Sequence, residues 1–204
     1  MILWTIRHTK PHNPKDVCYG RLDFDVSPSF ADEFSKPIEA LKQFGARPEV
    51  FYSSPLLRCR RLADKVSAAM NLNYRTEQSI IEVDFGAWEN QKLSLIDRQE
   101  MKAWKANLRG YKFPGGESFF EVDKRVSAFL EKCFNENKET LWVTHAGVIA
   151  SLMHTFSGVP HDDFIEGRFS YAMVTRFEFQ KENGILKASF ENVYHGIPMK
   201  PLDM

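Results

Sequence analysis

Apolar residues along this chain follow two rhythms that alternate. Ile2-Leu3-Trp4-Thr5-Ile6 is a short run rich in β-formers, which predicts a buried strand. Over residues 30–44 the apolar positions Phe34, Ile38, Leu41 and Phe44 step at helical spacing and stop at Gly45, so one helix is expected there. Glu49-Val50-Phe51-Tyr52 reads as a second strand. Ser53-Ser54-Pro55 then offers a serine cap followed by proline at the first helical position, and the helix it opens runs to about residue 70. Ile80-Ile81-Glu82-Val83 is a third apolar segment, with a carboxylate inside it. Residues 93–117 hold a helix-like stretch. Ser118 is a cap for a helix carrying Phe119, Val122, Val126, Phe129 and Leu130 on one face. Leu141-Trp142-Val143-Thr144 is another strand, followed by a helix over about 148–156. Residues 173–179 alternate at period two, and a Glu-Asn-Gly turn at 182–184 leads into 185–190, a hairpin. Strands alternating with helices make the chain α/β.

Between the first strand and the first helix, residues 8–29 carry Pro11, Pro14, Gly20 and Pro28. A long ordered loop is expected there, and such loops in compact domains are usually functional. The 204 residues favour one large domain, able to bury a core without disulfides or a structural metal. The 17 phenylalanines point to an aromatic-rich core or a partly apolar pocket. The 27 basic and 27 acidic residues cancel, which argues against nucleic acid or an anionic membrane as partner. Any anion affinity must be local. Cys18, Cys59 and Cys133 are odd in number and form no C-x-x-C, so neither a disulfide framework nor a zinc site is indicated. Free thiols suit a reducing compartment. The N-terminus lacks a basic leader pattern and no apolar run approaches membrane-spanning length, so a cytoplasmic location is expected.

Candidate chemistry sits at strand ends, where ligands gather in open α/β sheets. Arg7-His8-Thr9 follows the first strand. Arginine binds phosphate through a planar fork, and a neutral imidazole beside it can attack phosphorus. Arg58 lies on the first turn of a predicted helix whose N-terminus is itself an anion site. Arg60 and Arg61, on other faces, read as solvated. Glu82 inside its apolar segment should have a raised pKa, which suits a general acid. His145-Ala146-Gly147 is a strand–turn–helix junction where the glycine permits close approach, and a protonated His145 would add positive charge. His12, in the long loop, is a weaker candidate for substrate contact. His154, within a helical pattern, reads as packing, and His161 and His195 have no comparable context.

The order of these elements carries more than any one of them. Arg7-His8, Ser54-Pro55-x-x-Arg58, Glu82 with Phe85-Gly86-x-Trp88-Glu89, Pro114-Gly115-Gly116-Glu117-Ser118 and His145-x-Gly147 together resemble the histidine phosphatase superfamily, of the phosphoglycerate-mutase-like type, over nearly the whole chain. Within it, Cys18-Tyr19-Gly20-Arg21-Leu22-Asp23, Ser54–Cys59 and Asp84–Glu89 look most like the α-ribazole phosphatase branch, which removes a 5′-phosphate in assembling the cobalamin nucleotide loop. The resemblance implies a three-layer α/β/α sandwich with a mostly parallel central sheet, one domain over 1–204 and a small lid region at about 83–117. It implies that His8 becomes phosphorylated, that Arg7, Arg58 and His145 form the phosphate pocket, and that Glu82 donates the proton. Thr9, Tyr19, Gly20 and Ala146 are implied to join Arg7 and Arg58 in substrate binding. Hydrolysis would need no metal or other cofactor, act on a small-molecule phosphomonoester, and be carried out by a monomer or homodimer. Departures from the common pattern are Thr9 where a glycine is frequent, Ala146 for the first of two glycines, Ala150 for an arginine, and Asn90 for a glycine. They bear on substrate preference. A phosphoglycerate-type mutase, a broad-specificity phosphatase and a non-catalytic phospho-ligand module are the competing expectations.

Overall fold

The N-terminal run forms β1 (Ile2–Arg7), buried on both faces inside a six-stranded sheet. The computed structural model describes residues 1–160 and 169–197. The other strands are β2 (Val50–Ser53), β3 (Arg75–Thr76), β4 (Thr140–Thr144), β5 (Val174–Glu182) and β6 (Ile185–Tyr194), in spatial order β3-β2-β4-β1-β5-β6. The first four strands run parallel, while β5 is antiparallel to β1 and β6 to β5. Alternate side chains of the central strands enter different cores. Leu3 and Trp142 pack with α5 (Phe119–Glu136) and α6 (Ala146–Ser157) on one face. Trp4, Ile6, Leu141 and Val143 pack on the other with α2 (Ser35–Gln43) and α3 (Leu57–Met70). Helices on both faces of a mostly parallel sheet give the expected three layers.

Several boundaries differ from the sequence expectation, each for a local reason. The helix expected over 30–44 is two, α1 (Phe30–Glu33) and α2, broken at Phe34. Pro37 lacks the N–H that would bond back to Glu33, so it is accommodated only in the first turn of a new helix. The strand expected at 49–52 is shifted one residue, to β2. The next helix does not start on Ser54 and Pro55: α3 begins at Leu57, and its first amide donates to Asp23 Oδ1 of the long loop at 2.6 Å. α6 begins at Ala146, earlier than the apolar spacing suggests. β3 is two polar, exposed residues that no periodicity marks. By contrast, α5 opens on the expected Ser118, in a full capping box with Glu121. The hairpin turns at Asn183-Gly184, both with positive φ, as a two-residue turn matching strand twist requires.

Between β3 and α5 the chain adds no strand to the sheet. It holds single helical turns at Gln78–Ile80, Gly86–Trp88 and Leu93–Leu95, and α4 (Arg98–Ala106). Trp88 packs edge to face against both Trp104 and Phe113, and all three are buried in the same core as α5 and α6. Among the described residues, no helix is long and apolar enough to cross a membrane.

Candidate active site

Parallel pairing of β1 with β4 decides the centre of the site. Arg7 lies opposite Thr144, so the next residue of each strand, His8 and His145, leaves the sheet at the same edge. Their ring centroids are 5.1 Å apart, and both residues are fully buried. The hydrogen bonding of His8 fixes its tautomer. Nδ1 lies 2.7 Å from the Thr9 carbonyl oxygen. A carbonyl only accepts, so Nδ1 carries the proton and Nε2 keeps its lone pair. Burial first, then Arg58 and Arg7, hold the His8 pKa well below 6.5, which keeps the ring neutral at pH 7. His8 Nε2, Thr9 Oγ1 and Arg58 Nε are buried with no hydrogen-bond partner among the described residues. Buried polar atoms are ordinarily paired, so these three mark a place shaped for a polar ligand.

The cations are held from behind. Arg58, fully buried on the first turn of α3, donates to Leu22 O (2.7 Å) and Gly20 O (2.6 Å) and lies 5.0 Å from the Tyr19 ring centroid. Arg7 donates to Phe169 O and lies 4.2 Å from the Tyr171 ring centroid. Two guanidinium groups fixed in this way offer preorganised charge to an oxyanion. Gly20 thus holds Arg58 through its carbonyl. A Cβ at Gly20 would overlap Glu89 Oε1, a carboxylate that accepts from the amides of Arg21, Leu22 and Phe85. Arg61 turns outward to an exposed pair with Asp25, as its place on the helix suggests.

Glu82 approaches from the segment before the Gly86–Trp88 turn. Its Oε1 accepts from Val83 N (3.0 Å) and from Gly147 N at the start of α6 (3.1 Å). Burial pushes its pKa up; the Val83 amide, Arg58, Arg7 and Arg125 oppose that without cancelling it. Gly147 is what lets the carboxylate come so close, because a Cβ there would overlap Glu82 Oε1. Gly147→Ala should therefore displace the carboxylate while leaving α6 folded. Misplacement on this scale costs on the order of 10²-fold in rate, and kcat measured beside the thermal midpoint separates it from unfolding. Ala146 is the first residue of α6, and its amide is one of the donors a helix start leaves without an intrahelical acceptor.

The positive charge expected of His145 is not intrinsic to the fold. Burial, Arg58, His8 and Arg7, in that order, hold its pKa well below 6.5. It is a neutral ring bonded through Nε2 to Ser54 Oγ at 2.7 Å, with Cys59 Sγ at 3.5 Å. An anion beside it would offset the arginines and favour its proton. Ser54 is thereby the partner of His145 and not a helix cap. The other described histidines stay outside this group. His154 Nδ1 bonds Val159 O at the end of α6, His195 is exposed, and His161 lies outside the described residues. His12 is exposed and lines a cavity of about 240 Å³ with Lys15, Phe24 and Asn90.

Two contributors carried no sequence signal. The turn before β5 reaches the site because β5 runs antiparallel to β1, which puts Val174 opposite Ile6. Tyr171, on that turn, has its ring centroid 5.7 Å from that of His8. Behind Glu82, Arg125 from α5 donates to Ser79 O and Glu82 O and pairs with Glu117, which also binds Arg21. Only an ordered chain fold reveals either.

Comparison with known proteins accords with this geometry. The model of the histidine phosphatase superfamily (branch 1) matches residues 3–192. The chain belongs to that superfamily. Phosphoserine phosphatase 1 of Hydrogenobacter thermophilus is 29% identical over 167 residues, 78% of this chain and 77% of that protein. Among solved structures, the α-ribazole phosphatase of Shigella flexneri superimposes with a TM-score of 0.77, at 20% identity over 98% of this chain and 100% of that one. A mycobacterial glucosyl-3-phosphoglycerate phosphatase gives 0.78, at 20% identity over 94% and 97%. At this identity the structural matches establish a shared fold, that of the histidine phosphatases.

Proposed function

We propose that the protein is a metal-independent phosphomonoester hydrolase that works through a phosphohistidine. The observation that carries this reading is His8: a neutral ring with its Nδ1 proton tied to Thr9 O, its Nε2 unpaired, and its pKa held down by the two arginines. Nε2 attacks phosphorus, the N–P bond forms as the P–O bond breaks, and protonated Glu82 gives its proton to the leaving alkoxide. Ionised Glu82 then takes a proton from water as that water attacks phosphorus, the N–P bond breaks, and inorganic phosphate leaves. Arg7 and Arg58, with Thr9 Oγ1 and the Ala146 amide, hold the phosphoryl oxygens, and His145 shares their charge once protonated. Positioning and fixed charge suffice for such a transfer. Tyr19 borders the leaving group.

The first candidate substrate is α-ribazole 5′-phosphate, supported by the residues 18–23, 54–59 and 84–89 and by the likeness in fold to the Shigella enzyme. Phosphoserine, the substrate in the name of the Hydrogenobacter relative, belongs beside it in any test. The free thiols Cys18, Cys59 and Cys133 suit the reducing cytoplasm. The test is phosphate release in EDTA from α-ribazole 5′-phosphate, phosphoserine, phosphoglycerates and sugar phosphates. Turnover of one of the first two well above the rest supports the reading. Isomerisation of 3-phosphoglycerate with little phosphate released would make it a mutase, and phosphate binding without turnover a binding module.

Glu82→Gln should cost about 10²–10⁴-fold in kcat on alkyl phosphates, the usual contribution of general acid catalysis. The loss should shrink on p-nitrophenyl phosphate, whose leaving group needs no proton. The sign of the pH dependence follows from the two shifts. His8, lowered, stays nucleophilic below pH 6.5; Glu82, raised, stays protonated above pH 4.5, and ionises as pH climbs further. A weakly acidic optimum is expected, with its alkaline limb absent in Glu82→Gln.

A further inference from the structure

His8 is fully buried, yet two of the rings packed on it, Tyr19 and Tyr171, are partly exposed. Their ring centroids lie 6.5 and 5.7 Å from that of His8. Their hydroxyl oxygens are 3.3 Å apart, within reach of a hydrogen bond, so no substrate atom passes between them without the two side chains parting. The pair is anchored to the chemistry below it: the Tyr171 ring lies over Arg7 and the Tyr19 ring over Arg58. Tyr171 is also fixed from behind. Its amide donates to Ile197 O and its carbonyl accepts from Ile197 N at 2.7 Å, the amide of Ala172 donates to His8 O, and a Cβ on Gly196 would overlap the Tyr171 carbonyl. Ala172 holds a left-handed φ of 59° to make this turn. Such a conformation is strained for an L-residue and persists where the surroundings impose it.

We propose that Tyr171, with Tyr19, is the specificity-determining element of this site: a tyrosine pair that admits phosphate esters of primary carbons and excludes those of branched ones. The inference rests on the phosphatase reading above. With the phosphoryl group against His8 and its leaving oxygen directed away from Nε2, the first carbon of the leaving group lies level with the two rings. A primary carbon carries one chain through the gap; a secondary carbon carries two, and must push a ring off its arginine. The fixed backbone of Tyr171 leaves side-chain rotation as the way to open, so the gap stays narrow.

The test compares kcat/KM on glycerol 1-phosphate and glycerol 2-phosphate, isomers that differ in branching at the ester carbon. The wild-type enzyme is expected to prefer the primary ester by about tenfold or more, the range in which a pocket discriminates small differences in bulk. Tyr171→Phe, which keeps the ring over Arg7, should keep the preference. Tyr171→Ala should bring the ratio close to one, even if its absolute rates fall. A second readout is independent of turnover: diethyl pyrocarbonate should modify His8, located by peptide mapping, several-fold faster in Tyr171→Ala than in the wild type. Equal rates on the two esters in the wild type, or an unchanged ratio and unchanged modification in Tyr171→Ala, would overturn the proposal. No turnover of either ester, of α-ribazole 5′-phosphate or of phosphoserine, with faster modification in the variant, would instead overturn the phosphatase reading and leave the tyrosines as the closure over His8.

Discussion

Replacing His8 by alanine is expected to lower kcat/KM on any substrate of this protein by about 10³-fold or more, and to abolish acid-labile phosphoryl label on the chain. The expectation follows from the division of labour at the site. The arginines, Thr9 and the start of α6 would still bind a phosphomonoester, but among the described residues no other unpaired, neutral ring nitrogen stands beside them: His145 Nε2 is engaged by Ser54 Oγ. Binding and turnover should therefore separate. Inorganic phosphate measured by calorimetry should still bind the alanine variant, while rapid-quench experiments should detect no phosphoenzyme. Full activity in this variant would remove His8 from the mechanism. Loss of both binding and turnover, with a lowered thermal midpoint, would instead mean that the ring is needed to keep the pocket folded.

The parts of this site that could be read along the chain are those fixed by local physics. β1 and β4 are short apolar runs buried on both faces, and each hands over to a histidine at its end. Glu82 could be picked out because a carboxylate between Ile81 and Val83 has no local reason to be there. The Ser118 cap and the Asn183-Gly184 turn obey rules that operate within four residues. What stayed hidden depends on residues far apart in sequence. Ser54 looks like a cap, but its hydroxyl is claimed by His145, 91 positions on, and the vacated helix start is capped by Asp23 from the long loop. The charge on His145 could not be foreseen, since it depends on burial and on Arg58, His8 and Arg7 converging on one point. Tyr171 could not be found at all, because only the antiparallel pairing of β5 with β1 brings the turn before it over His8.

Arg58 is the residue where these long-range relations converge, and its replacement should have the second largest effect. Its guanidinium binds two loop carbonyls, lies against Tyr19, and is the charge that most strongly lowers the pKa of both His8 and His145. Arg58→Met should lose about 10²–10³-fold in kcat/KM, the loss seen when a preorganised oxyanion donor is removed. It should also unfold at lower temperature, since an acceptor left unpaired in a buried place costs about 1–3 kcal/mol and Gly20 O loses its donor. Arg58→Lys keeps a charge but cannot span Gly20 O, Leu22 O and a phosphoryl oxygen with one rigid fork, so it should recover only part of the activity. The two variants differ most in their pH profiles. Without a cation at residue 58, His8 is less opposed to protonation and its pKa moves up toward 6.5, so the acid limb of kcat/KM shifts to higher pH in Arg58→Met. With lysine the repulsion remains and the limb stays near its wild-type position. A limb that does not move in Arg58→Met would mean that burial and Arg7 suffice to keep His8 neutral, and would confine Arg58 to holding phosphate.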